Sequence, residues 1–333
     1  MAALSIVAAL MVACGGGGST KDATPGVDAP IDIASSTAAP AASVTAPVAR
    51  GVPAPPCDAP KPHSAGDSDE HLPSGGLDRT YILHVPPQYD GARSLPLVLN
   101  LHGYGSNARQ QAIYSRLPAK GDKEGFLVVS PDGTGDQRHW NYPGLGGTDD
   151  IAFMRDLLDR IETDLCVDTK RVFIAGISNG AAFASFVACA MPGRITAVGE
   201  IAATAYPKSC PAEATIPIIS FRGKDDPCVP YDGGTSQCGQ RLPVQPAEAS
   251  MRDWARHDGC NLDGASQPYT DAVHTIAYSE CTADAAVVLF VIEGGGHTWP
   301  GSIDVPRLGA TTHKLDATDQ LWQFFVGQGN LRR

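Results

Sequence analysis

The stretch Val172-Phe173-Ile174-Ala175-Gly176-Ile177-Ser178-Asn179-Gly180-Ala181-Ala182 constrains this chain more than any other. Its first half is a short apolar run rich in β-branched residues, the pattern of a buried strand. Its continuation to Ala188 is apolar and alanine-rich, the pattern of a buried helix. Between them lies Gly-x-Ser-x-Gly, at Gly176, Ser178 and Gly180. A strand that turns straight into a helix holds its apex residue in a strained backbone conformation. Small neighbours let the chain fold back there without a Cβ clash. The apex hydroxyl then stands above the sheet at the positive end of a helix, which suits a nucleophile that becomes partly anionic. Ser178 is therefore the candidate nucleophile. With 36 glycines in the chain the bare pattern is weak, and the flanking strand and helix give it content.

A serine hydroxyl near neutral pH needs a base, usually histidine. Of the nine histidines, His257, His274, His297 and His313 follow Ser178. Only His297 sits just past the end of a predicted central strand, in a glycine-rich loop that can turn inward. His102 also ends a strand but precedes Ser178, and its expected role is to brace the loop it opens. A carboxylate must fix the tautomer of the base. Asp225, Asp226 and Asp232 follow the strand 216–221, and Asp226 is preferred because Pro227 restricts it to an extended or turn conformation. Asp225 remains the alternative. The oxyanion donors are expected to be the backbone N–H groups of Asn179 and Tyr104, so side-chain replacement should test them poorly.

Around this centre the chain alternates strands and helices. Strands are expected at Arg79–Val85, Leu97–Leu101, Phe126–Ser130, Ile195–Ala203, Ile216–Phe221 and Ala286–Ile292. Helices are expected over roughly 108–117 after Asn107, from Asp149 to Leu165, over 247–257, and from Ala317 to Val326. Residues 223–247 form a Gly- and Pro-containing excursion. Continuous apolar strands between helices imply a mostly parallel sheet covered on both faces, an α/β fold with its ligand site at the carboxyl ends of the strands. The order Ser, Asp, His is that of α/β-hydrolases. Trp140, Tyr142 and Trp299 fall on loops at those ends, where aromatic faces suit a phenolic acyl group, a sugar ring or an aliphatic chain. They are the candidate substrate-binding residues.

Composition bears on compartment and partners. The net charge of −11 argues against nucleic acid and anionic membrane surfaces as partners. Ala2 to Ala13 is almost wholly apolar and too short to span a bilayer. With Cys14 and four glycines behind it, residues 1–14 resemble a bacterial lipoprotein signal, in which Cys14 carries the lipid. Met11 stands where leucine is commoner, and no Lys or Arg precedes the run, which suggests a start codon further upstream. The expected product is a secreted, periplasmic or cell-surface lipoprotein, held at the membrane only through Cys14. Residues 15–56 lack periodicity and read as a disordered linker. The catalytic domain, expected as a monomer, is placed at 57–333.

Eight further cysteines in an exported chain imply disulfides. Cys228–Cys238 and Cys260–Cys281 are expected as local staples. Cys166 precedes the nucleophile strand and Cys189 ends the returning helix, so these two are expected to pair, leaving Cys57 with Cys210 by elimination. No Cys-x-x-Cys or zinc-like Cys/His spacing occurs, so neither a metal nor another cofactor is expected.

Four segments then carry a specific resemblance. They are Leu101-His102-Gly103-Tyr104, Gly176 to Ala181, Phe221-Arg222-Gly223-Lys224-Asp225-Asp226-Pro227-Cys228-Val229-Pro230-Tyr231, and Gly294-Gly295-Gly296-His297-Thr298-Trp299-Pro300-Gly301. Together they look like the polyhydroxybutyrate depolymerase and feruloyl esterase-like family of α/β-hydrolases, grouped with the first carbohydrate esterase family. The resemblance covers about residues 57–330, and its last segment is the most diagnostic. It implies a secreted serine esterase acting on polyester or on feruloyl or acetyl esters of plant polysaccharides, with Ser178, Asp226 and His297 as triad. Arg222 stands where the family usually has histidine. Tyr104 stands where many depolymerases have cysteine, which leans against polyester. The same triad would serve a serine peptidase, and the non-enzymatic rival is a polysaccharide-binding lipoprotein on an inherited scaffold. Turnover of p-nitrophenyl acetate, lost in Ser178→Ala, separates that rival from both enzymes.

Overall fold

The computed structural model describes residues 55–331. The signal segment, Cys14 and residues 15–54 of the linker lie outside the described residues. Strands run over β1 Gly66–Ser74, β2 Leu77–Val85, β3 Leu95–Leu101, β4 Leu127–Pro131, β5 Val167–Ile177, β6 Ala197–Ile201, β7 Ile218–Gly223, β8 Gly234–Thr235, β9 Pro243–Val244, β10 Ala265–Thr270, β11 Val273–Tyr278 and β12 Val287–Ile292. Helices run over α1 Ala108–Ser115, α2 Leu117–Glu124, α3 Asp150–Asp164, α4 Asn179–Ala190, α5 Ala247–His257 and α6 Ala317–Leu331. Ten strands form one sheet in the order β1-β2-β4-β3-β5-β6-β7-β12-β11-β10. Pairing is parallel from β4 through β12 and antiparallel at both margins. This is the mostly parallel, doubly covered sheet expected from the apolar runs.

Those runs are continuous because both faces are buried. In β5, Val172 and Ile174 join one core with residues of α3, α4 and α5. Phe173 and Ala175 join the opposite core with Leu117 of α2 and Leu321, Trp322 and Phe325 of α6. Alternate side chains of a strand point to opposite faces, so each face receives its own half of the run.

The differences from expectation have local causes. The helix expected over 108–117 is capped by Asn107, whose side chain accepts the Gln110 N–H at 2.9 Å. It stops at Arg116, which is left-handed at φ 57°, and α2 begins with Pro118 in its first turn. Proline is tolerated at a helix start but not inside one, so two helices replace one. The hairpin β1–β2 turns through Gly75 and Gly76, both with positive φ, in a two-residue loop. Its first strand is polar and largely exposed, so it lacked an apolar signature. The hairpin β10–β11 likewise fills the stretch between Cys260 and Cys281.

Disulfides join Cys228–Cys238 and Cys260–Cys281, as expected. The other two pairings expected from the sequence, Cys166–Cys189 and Cys57–Cys210, do not form. The structure joins Cys57–Cys166 and Cys189–Cys210, with Cα separations of 5.8 and 4.8 Å. The reason is the unequal rise of strand and helix. Counted back from Ser178, a strand carries Cys166 roughly 40 Å away. A helix of similar residue count carries Cys189 only about 16 Å. Cys166 therefore overshoots the helix end. It meets the entering chain instead, where Pro56 pairs with Arg93 and Cys57 N–H donates to Ala92 O at 3.0 Å. Pro55 and Pro56, assigned to the linker from sequence, thus already dock on the domain.

Candidate active site

Ser178 caps α4 with φ 57° and ψ −121°, a conformation forbidden to most L-residues. The strand-to-helix turn enforces it, and Ser178 N–H donates to Ile201 O of β6 at 2.8 Å. Gly180 is a steric necessity, since a Cβ there would lie 2.4 Å from His102 O. The strands β5, β6, β7 and β12 are level at Ile177, Ile201, Phe221 and Phe290. The loops bearing Ser178, Asp226 and His297 thus leave the same edge of the sheet.

His297 and Asp226 are both buried. His297 Nδ1 lies 2.8 Å from Asp226 Oδ2 and 3.0 Å from Oδ1. Asp226 Oδ1 also accepts the N–H groups of Cys228 and Val229, each at 2.8 Å. A carboxylate can only accept, so Nδ1 carries the proton and Nε2 has the free lone pair. Asp225 and Asp232 are exposed and do not bond His297. Ser178 Oγ makes no hydrogen bond to His297, so this arrangement holds the base–acid contact without the nucleophile–base contact. Such contacts are often long in ligand-free sites. The rival histidines have other partners: His257 bonds Asp258 and Pro211 O, and His313 bonds Asp304.

His102 braces its loop as expected. Its Nε2 accepts Gly133 N–H at 2.9 Å, which leaves Nδ1–H to donate to Gly103 O at 2.8 Å. Burial lowers the pKa of the ring, in keeping with this neutral tautomer. Among the described residues, nothing accepts the N–H of Tyr104 or of Asn179, the two expected oxyanion donors. The side chain of Asn179 has a part that the sequence did not reveal. Its Oδ1 accepts Trp140 N–H at 2.7 Å, and its Nδ2 donates to Trp140 O at 3.1 Å and to Tyr142 Oη at 2.8 Å. The amide thereby clamps the 132–148 loop to the Ser178 turn.

Two of the three aromatic residues assigned to substrate, Trp140 and Trp299, are instead packing residues. Trp140 is fully buried, donates through Nε1 to His102 O at 2.9 Å, and stacks on Phe183. Trp299 is fully buried and donates through Nε1 to Thr318 Oγ1 at 3.0 Å. Tyr142 stacks on Phe186, and its hydroxyl is occupied by Asn179. Indole groups whose polar atoms are satisfied inside the core present no face to a ligand. Tyr104 and Tyr142 stay partly exposed, and the Tyr104 ring lies beside His139 at 5.4 Å. Gly239 approaches that ring closely, and a Cβ there would lie 2.7 Å from Tyr104 Cγ. The Cys228–Cys238 loop therefore links the Asp226 turn to the Tyr104 loop. Asp226, Cys228 and His297 form a compact ligand-like cluster, but the Cys228 sulfur is in a disulfide and supplies no thiolate.

The family model described as Esterase PHB depolymerase matches residues 79–239, which include Tyr104, Ser178, Asp226 and the Cys228–Cys238 loop. Feruloyl esterase B of Piromyces equi is 29% identical over 229 residues, covering 66% of this chain and 42% of that protein. This chain thus spans under half the length of that relative. The putative esterase NocK of Nocardia uniformis subsp. tsuyamanensis is 29% identical over 286 residues, covering 76% of this chain and 80% of that protein. The structure of acetyl xylan esterase from Aspergillus awamori superposes with a TM-score of 0.55 at 14% identity, covering 78% of this chain and 99% of that one. That likeness is one of fold.

Proposed function

We propose that this chain, whose residues 79–239 match the family model described as Esterase PHB depolymerase, is a serine carboxylic-ester hydrolase of that family. The observation that carries the reading is the combination of a strained Ser178 at the head of α4 with a buried Asp226–His297 pair at the same sheet edge. Ser178 Oγ attacks the ester carbonyl while His297 Nε2 takes its proton. The N–H groups of Asn179 and Tyr104 receive the oxyanion. Collapse of the intermediate expels the alcohol, which takes the proton from His297. Water, deprotonated by the same Nε2, then attacks the acyl-enzyme, and Ser178 leaves with that proton. Asp226 holds the imidazole in its Nδ1–H tautomer and stabilises the imidazolium.

The proposed substrates are feruloyl or acetyl esters of plant polysaccharides, the ester classes named for similar proteins. Hydroxyalkanoate polyester is second, since Tyr104 replaces the cysteine of many depolymerases. The assay is hydrolysis of p-nitrophenyl acetate, followed by methyl ferulate, acetylated xylan and a hydroxybutyrate oligomer. Ser178→Ala should reduce kcat by about 10⁶-fold without unfolding the protein. Retention of turnover in that variant would overturn the reading.

Four disulfides among the described residues imply folding in an oxidising compartment. No helix among those residues is long and apolar enough to cross a membrane. The proposed form is a monomeric lipoprotein anchored at Cys14. Labelled palmitate should tag it, and Cys14→Ser should release it from membranes. Unchanged membrane association in that variant would remove the anchor.

A further inference from the structure

Beneath the Asp226 turn lies a buried polar cluster that the reaction as derived does not use. Arg222 on β7 and Glu200 on β6 are both fully inaccessible. Arg222 Nη2 donates to Val229 O at 2.7 Å, and Nη1 to Thr204 Oγ1 at 3.1 Å. The Val229 N–H in turn donates to Asp226 Oδ1. Glu200 Oε1 accepts from Ser185 Oγ at 2.7 Å and from Ala205 N–H at 3.0 Å. We propose that Arg222 is a positioning residue for the triad acid: its guanidinium fixes the Asp226 turn from below and supplies the buried positive charge that keeps the Asp226–His297 pair poised for proton uptake. This rests on the esterase reading above.

The physical case is the cost of the group. A fully buried guanidinium loses its hydration, and a well-packed apolar side chain of similar volume is usually as stable or more so. Arg222 Nε and Glu200 Oε2 also lack hydrogen-bond partners among the described residues, which adds to that cost. A contribution to stability alone therefore explains Arg222 poorly, whereas its bond to the Asp226 turn gives the cost a purpose. Burial draws the pKa of Arg222 down, and Asp226, Glu200 and Tyr231 oppose that shift. These are the titratable groups facing it. Tyr231 in turn bonds Glu248 and lies under Lys224, while Asp226 faces His297. Burial lifts the Glu200 carboxyl to about 8, which leaves it largely protonated near neutral pH.

The test compares Arg222→Met, Arg222→Lys and Ser178→Ala on p-nitrophenyl acetate across pH. Arg222→Met should lower kcat roughly 10- to 100-fold with KM within about twofold, as misplacement of a catalytic group does. Loss of the positive charge favours the protonated imidazole, so the acid limb of its kcat/KM profile should move to higher pH. Arg222→Lys keeps the charge but cannot reach Thr204 and Val229 together. Its limb should stay in place while kcat falls. A merely structural arginine would change the melting temperature and leave the limb and kcat of the folded enzyme at wild-type values. That outcome, in Arg222→Met or, if it fails to fold, in Arg222→Lys with wild-type kcat, overturns the proposal. If Ser178→Ala retains turnover, the triad reading itself falls and takes this inference with it. If Ser178→Ala is inactive and the Arg222 variants behave as wild type, the inference falls alone.

Discussion

At the scale of single residues, Glu200 makes the pH dependence of stability predictable. It is fully buried between β6 and α4, and desolvation raises its pKa from 4.5 to about 8 against the opposing bonds from Ser185 and Ala205. The folded protein then binds this proton more tightly than the unfolded chain does. The contribution is fully present below the unfolded carboxyl pKa and is lost as pH rises through about 8. Its span is on the order of 5 kcal/mol. Glu200→Gln keeps an acceptor for Ser185 and Ala205 but cannot ionise. Urea melts at pH 5 and pH 8.5 should show the wild type losing more stability than the variant. Parallel losses in both proteins would show that Glu200 is not the titrating group. The residue scale also shows what sequence could not reach. Ser178, Asp226 and His297 stood out because each ends a recognisable strand. Trp140 and Trp299 were misassigned because a loop position does not reveal that an indole N–H is satisfied inside the core. The clamp made by the Asn179 amide joins residues 39 apart, and no local pattern encodes it.

At the scale of elements, legibility followed burial. The strands β3, β5, β7 and β12 announce themselves because both of their faces are covered. The strands β1 and β10 are exposed along most of their length, and their residues satisfy hairpin pairing rather than a core. The excursion over 223–247 holds only the two-residue strands β8 and β9, and its order comes from Cys228–Cys238. That bridge closes a sequence separation of 10, so chain entropy gives it only about 3 kcal/mol. Its structural position is more consequential. Cys228 N–H bonds Asp226, Cys228 O accepts Gln237 N–H, and Gly239 packs on Tyr104. Replacing both cysteines with serine should therefore reduce kcat about 10-fold or more by loosening the Asp226 and Tyr104 loops together. The melting temperature should fall by only a few degrees. A variant that melts much earlier yet retains full kcat would assign the bridge to stability instead.

At the scale of the molecule, the Cys57–Cys166 bridge should divide the labour in the opposite sense. It joins the chain where it enters the domain to the start of β5, a sequence separation of 109. The same entropy relation gives about 5 kcal/mol for a loop of that size. The closed loop contains β1 through β4 and α1 through α3, so reduction frees the unfolded chain over a large part of the domain. In the folded protein the bridge lies at the amino end of β5, while Ser178 lies beyond its carboxyl end. The carboxyl half of the intervening strand, from Phe173 to Gly176, is paired on both sides, with β3 and with β6. Neither Ser178 nor the loops of Asp226 and His297 depend on the bridge for position. Cys57→Ser with Cys166→Ser should lower the melting temperature by on the order of 10 °C for a domain of this size. It should leave kcat and KM for p-nitrophenyl acetate at wild-type values below the transition. Calorimetry and initial rates on the two double-serine variants, measured side by side, check the division. If the Cys57–Cys166 variant loses activity at a temperature where it is fully folded, strain travels along β5 to the nucleophile turn and the two bridges are not separable.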